Sequence, residues 1–197
     1  MSAPVFDHLA IACTDLEEGA AWLTERLGVP PGGGGRHPDF GTHNRLWSLG
    51  PSEYLEIIAI DPDAPPPEEP RWFGLDRFSG PPRLVAWIAR VQDPALWAAL
   101  GQVKALSRDR YRWRMVLPGD GAPPWRGAHP LIIAWDGPHP AEELPDSGLR
   151  LTGLRIAHPE CDALANRLGS DDPRIELHKG PACLMARIAT PAGPATL

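Results

Sequence analysis

At 197 residues, with a net charge of −6 and a pI near 5.6, the chain repels a phosphate backbone, which argues against a nucleic-acid partner. Its 43% apolar and 22% charged residues describe a globular chain large enough to fold without a disulfide or metal staple. No apolar run approaches the ~18 residues of a membrane span. No basic or apolar leader opens it, and three cysteines without metal-type spacing (Cys13, Cys161, Cys183) point to a reduced, cytoplasmic setting in which they fill core space.

Residues 4–12 (PVFDHLAIA) alternate as a strand. Asp15 then predicts a helix N-cap, Glu17 and Glu18 suit the positive first turn, and Leu16, Ala20, Leu23 and Leu27 recur at helical spacing before Gly28 ends the run. A glycine-rich stretch follows, able to carry a short strand before His37. Strands are expected at 43–49 and 53–60 about a Gly50–Pro51 turn. The pattern β-α-β-β-β recurs: a strand at 83–90, a short helix capped by Asp93 and closed at Gly101, then strands at 103–107, 111–117 and 131–136. A shortened third copy has a strand at 149–157, a helix at 160–168 closed by Gly169, and strands at 174–178 and 182–189. All three helices end in Leu-Gly, which supports internal duplication. Residues 6–14 align without gaps on 151–159, and 54–62 on 183–191. The expected organisation is therefore a module at 1–61, a proline-rich linker at 62–81, a second module at 82–137, a linker at 138–148 and a third module at 149–197. The ungapped matches favour pairing of the first module with the third.

Asp7-His8-Leu9, the run GGGGRHPDFGTHNRLWSLG (32–50) and Tyr54-Leu55-Glu56-Ile57 appear in order. Over residues 4–61 these resemble the glyoxalase-like branch of the vicinal oxygen chelate superfamily, which includes glyoxalases, extradiol dioxygenases and bleomycin-resistance proteins. The resemblance implies an α+β protein of tandem βαβββ modules whose curved mixed sheets form a cup. It also implies a divalent metal (Zn, Fe, Mn or Ni) held by a His on the first strand and a Glu on the fourth, facing a substrate with adjacent oxygens. His8 and Glu56 occupy those positions, and further ligands would come from His37 or His43, His37 being the favoured one. Strand parity places His8 away from Leu9 and Ile11, and Glu56 with Tyr54 away from Leu55 and Ile57. The later modules depart from the pattern. Gly153 and Ala86 stand where His8 would, and Met185 and about Leu131 where Glu56 would.

Each candidate has a plainer reading. His8 would serve as a core histidine, and Asn44 and His37 would anchor a turn. Glu56, an acid within an apolar strand, must be exposed or paired. Asn44 and Tyr54 are candidate substrate contacts. His43 lies opposite Asn44 by parity. SRDRYRWRM places Arg108, Arg110, Arg112 and Arg114 on one strand face and Tyr111, Trp113 and Met115 on the other. If the aromatic face packs on a helix, Arg112 and Arg114 line the cup and select an organic anion; otherwise they are a solvated face.

Three functions follow. The first is a metal-dependent lyase, isomerase or dioxygenase in which His8 and Glu56 are catalytic, acting on a small oxygen-rich anion. The second is a metal-free protein that binds or sequesters a small molecule in a tryptophan-lined cup. The third is a scaffold whose edges form a homodimer.

Overall fold

The computed structural model describes residues 3–197. Strand β1 (Val5–Ala12) leads to α1 (Leu16–Leu27), whose N-cap Asp15 accepts a hydrogen bond from the Glu18 amide and whose end is turned by Gly28 at φ 72°. Then come β2 (Gly33–His37), β3 (Thr42–Gly50) and β4 (Glu53–Ile60). The second copy comprises β5 (Arg83–Arg90), a 3-10 segment Pro94–Leu100 capped by Asp93, β6 (Gln102–Arg108), β7 (Tyr111–Leu117) and β8 (Leu131–Trp135). The third comprises β9 (Arg150–His158), α2 (Cys161–Leu168), β10 (Ile175–Lys179), β11 (Cys183–Thr190) and β12 (Gly193–Thr196).

The first two copies make one eight-stranded mixed sheet, ordered β2-β3-β4-β1-β5-β8-β7-β6. The sheet curls into a half-barrel whose concave face forms a cup. The first copy thus joins the second and not the third, because the outer edge of β1 is taken by antiparallel β5. The third forms its own sheet, ordered β10-β9-β11-β12, behind the large one. The ungapped match of 183–191 to 54–62 does not survive either. β4 lies parallel to β1, whereas β11 lies antiparallel to β9; the parallel neighbour of β9 is β10. Both segments share an apolar alternation, and alternation says nothing of strand direction.

Each face of the large sheet has its own core. Leu9, Ile11, Leu55, Ile57 and Trp47 pack with Leu16, Leu23 and Leu27 of α1, and this core runs on into Leu154, Ile156 and Ile188 of the small sheet. The opposite, concave face carries Ala10, Ile58, Ile88, Trp113, Met115 and Ile133. The two proline-rich stretches complete this cup. The 3-10 turn Trp72–Arg77 pushes Trp72, Phe73 and Leu75 into its apolar core, and Ala141 with Leu144 packs on Leu46 and Tyr54. The glycine run is a bare strand over which other groups pass. A Cβ on Gly33 would meet Leu144 at 2.7 Å, and one on Gly35 would lie 3.2 Å from the Arg108 side chain. Among the described residues no helix is long and apolar enough to cross a membrane.

Candidate functional site

Consecutive strand residues point to opposite faces, yet Asp7 and His8 meet. The pairing of β1 with β5 slips between Phe6 and His8, so Asp7 is the extra residue of a bulge and its carboxylate swings toward its neighbour. His8 Nδ1 lies 2.6 Å from Asp7 Oδ1, and Asp7 is fully buried. The other Asp7 oxygen accepts from Trp135 Nε1 at 3.1 Å and from His139 Nε2 at 3.1 Å, with Arg90 Nη1 at 3.4 Å. His139 Nδ1 accepts the Ala141 amide, which leaves its proton on Nε2, facing Asp7. Burial alone would raise the Asp7 carboxyl. The hydrogen bonds from His139 and His8 overcome that and hold it well below the ordinary carboxylate range. An ionised Asp7 accepts a hydrogen bond from His8 Nδ1, the tautomer that leaves an imidazole lone pair on Nε2.

That Nε2 faces the cup. Glu56 Oε2 is 3.8 Å away and the Tyr54 hydroxyl 3.4 Å, with the Tyr54 ring stacked on the imidazole at 4.2 Å. Burial, then Asp7 and Glu56, pushes the Tyr54 phenol well above its ordinary range, so it remains a neutral donor. Glu56 is 5% exposed, and its Oε1 accepts from Asn44 Nδ2 at 2.6 Å. Asn44 Oδ1 in turn accepts from the Gly35 amide at 2.8 Å and Arg108 Nη1 at 3.2 Å. Arg108 Nη1 also donates to His37 Nε2 at 2.9 Å, and His37 Nδ1 lies 3.1 Å from Thr42 Oγ1. Burial, then the Arg108 charge and His43, pushes His37 down to about 3, so it is a neutral acceptor. The cavity between them is about 40 Å³, room for a few waters. Two buried donors of residues that line it, Arg108 Nε and Trp72 Nε1, have no hydrogen-bond partner among the described residues.

The structure brings together five of the residues singled out by the sequence: His8, Glu56, His37, Asn44 and Tyr54. It does not bring in Arg112 and Arg114. Arg114 pairs with Asp136 and Arg112 bonds the Asp109 and Tyr111 carbonyls, both on the outer face. The aromatic side, Trp113 and Met115, is the one that faces the cup. The run is not one strand: Asp109 at φ 52° turns the chain between β6 and β7, and Arg108 reaches the cup from β6. Asp-Arg carries no glycine to announce such a turn. Asp7, Trp72 and His139 were also missed. A carboxylate inside an apolar strand was the one available signal, for Asp7.

These residues do not fit a resident divalent ion. His8 and Glu56 converge, but His37 is withdrawn from a ligand role, because one ring nitrogen accepts from a guanidinium and the other is held by Thr42. The facing wall is Met115 and Ile133, with no donor to complete three ligands. Among the described residues no group of three or more His, Cys, Asp or Glu is placed to hold a metal.

The model of the glyoxalase-like domain family matches residues 6–171. A hypothetical protein from Staphylococcus aureus shares the fold at a TM-score of 0.60 and 11% identity, over 92% of this chain and 88% of that one. Methylmalonyl-CoA epimerase from Mycobacterium tuberculosis is similar at 0.46 and 20% identity, over 68% and 90%. A variant of the Streptomyces coelicolor epimerase, solved in complex with 2-nitronate-propionyl-CoA, is similar at 0.45 and 18%, over 73% and 100%. No curated protein matches.

Proposed function

This chain belongs to the glyoxalase-like domain family of the vicinal oxygen chelate superfamily, and we propose that it is an isomerase-type enzyme moving protons on a small oxygen-rich anion held in the cup. The observation that carries this reading is the facing of two basic atoms, His8 Nε2 and Glu56 Oε2, 3.8 Å apart on a buried cavity. Asp7 orients the first and Asn44 the second. Glu56 would remove a proton from the carbon beside a carbonyl. His8 would pass the hydroxyl proton of the same molecule to the former carbonyl oxygen, and return of the Glu56 proton to the former carbonyl carbon completes the shift. The unpartnered Arg108 Nε and Trp72 Nε1 supply the contacts a carboxylate needs, and Arg108 has no carboxylate partner among the described residues. The same two donors also suit a protein that only binds the anion, which is the second reading.

Hydroxypyruvate separates the two. It is a small 2-oxo acid with a hydroxyl on the adjacent carbon. In deuterated water, wild type should accelerate deuterium uptake at that carbon, followed by proton NMR. Glu56→Gln should slow the uptake by about a hundredfold or more, the size of a lost general base. His8→Asn should slow isomerisation more than exchange. Dialysis against a chelator should leave the wild-type rate unchanged. Undiminished exchange in Glu56→Gln would refute the assignment, and binding without exchange would favour the second reading.

A further inference from the structure

On the far side of Phe73 from the cup lies a second hollow, about 570 Å³ in volume, which falls in the range of small-molecule sites. It opens where α1, the start of β5, the 3-10 turns Trp72–Arg77 and Pro124–Gly127, and the strands β11 and β12 come together. Its apolar wall is Trp22, Leu84, Val85 and Leu184, all partly buried. Around it stand Arg77, Arg83 and Arg126. Arg77 reaches Asp120 at 3.4 Å in an exposed pair. Arg83 lies 4.1 Å over the Phe78 ring and donates to the Ser79 carbonyl. Neither Arg83 nor Arg126 has a carboxylate partner among the described residues. Two arginines without a carboxylate partner thus border the hollow in a chain whose net charge is −6.

The backbone is strained where it borders this space. Phe73 (φ 58°) and Arg126 (φ 57°) both adopt the left-handed conformation that bulky residues avoid. The second turn is forced by close approach. A Cβ on Gly127 would lie 2.3 Å from the Val85 carbonyl oxygen, so the loop is pressed onto β5 and Arg126 is held beside the hollow. Strain of this kind gathers at ligand sites.

We propose that this hollow is a second binding site, for a small amphipathic anion: a carboxylate or sulfonate on an aliphatic or aromatic body. The guanidinium groups take the head by charge-assisted hydrogen bonds and the apolar wall takes the body. The site is separate from the cup and does not depend on the proton chemistry proposed there.

Cys183 provides the readout, because it is an exposed free thiol on the wall of the hollow, whereas Cys13 is buried and Cys161 lies elsewhere. Alkylation by iodoacetamide is followed site by site by mass spectrometry, with decanoate as the probe and decanol as its uncharged counterpart. Saturating decanoate should slow Cys183 by about tenfold or more and leave Cys161 unchanged, and decanol should protect about tenfold more weakly. The Arg83→Gln/Arg126→Gly pair should abolish protection. The glycine removes the charge and relieves the left-handed residue, so the variant folds at least as well, as its Tm will report. Protection should persist in Arg108→Gln, which removes the anion anchor of the cup. No protection at millimolar decanoate, equal protection by decanol, or protection surviving in the arginine pair overturns the site. Loss of protection in Arg108→Gln would move the anion to the cup and overturn it as well.

Discussion

His37 shows how one buried side chain ties the site to pH. Burial and the neighbouring guanidinium hold it neutral down to about pH 3 in the folded chain, whereas an exposed histidine protonates near 6.5. Between those values the unfolded chain binds the extra proton, so stability falls as pH falls from about 6.5 toward 3. His43 and His129, also held down by burial, act in the same direction. His37→Gln can still accept from Arg108 and donate to Thr42, yet it cannot titrate. Urea unfolding at a series of pH values should therefore give a flatter acid limb for the variant, with a residual slope from the other two. A slope equal to that of wild type would show that His37 is not the group involved. Asp7 has the ordinary carboxylate sign: its depressed value contributes stability above its unfolded range that is lost on strong acidification.

The elements of the cup are arranged by two backbone devices. The bulge at Asp7 lets adjacent residues of β1 form an acid–base pair, and the bare strand β2 lets a side chain from β6 cross to the first copy. Gly35 sits under that crossing. A methyl there would force the Arg108 guanidinium to move by a few tenths of an ångström without straining its own backbone. Gly35→Ala should accordingly keep its Tm within a few degrees of wild type and raise the KM for hydroxypyruvate several-fold, with a smaller change in kcat, as steady-state kinetics will show. An unchanged KM would remove Arg108 from the role of anion anchor. Arg112→Gln, on the outer face, serves as the control that alters nothing.

The whole molecule is a half-barrel backed by a second small sheet. The two share a continuous apolar core, and one polar clamp joins them: Arg174 donates to both Glu53 oxygens, at 2.8 and 2.7 Å, and to Asp172. Glu53 begins β4, the strand that carries Glu56. A double-mutant cycle with Glu53→Gln and Arg174→Gln should give a coupling of about 1 kcal/mol in thermal or urea unfolding, because the pair is bidentate and only partly exposed. A coupling near zero would leave the apolar core as the sole attachment of the third copy.

Local pattern alone was enough to identify the repeated β-α-β-β-β order, the Asp15 and Asp93 caps, the Leu-Gly helix ends, and the cup-facing parity of His8, Tyr54 and Glu56. Each of these depends on residues close together in sequence, where periodicity and capping chemistry act directly. Tertiary structure alone decided that the first copy pairs with the second, that β10 and not β11 runs beside β9 as β4 runs beside β1, and that Arg108 rather than Arg112 or Arg114 enters the cup. It also decided that Trp72 and His139, from stretches with the composition of linkers, close the site, and that His37 faces a guanidinium instead of a metal. Strand direction, a turn without glycine and contacts across a hundred residues leave no periodic trace, because they are set by which edges and faces the folded chain leaves free to be covered.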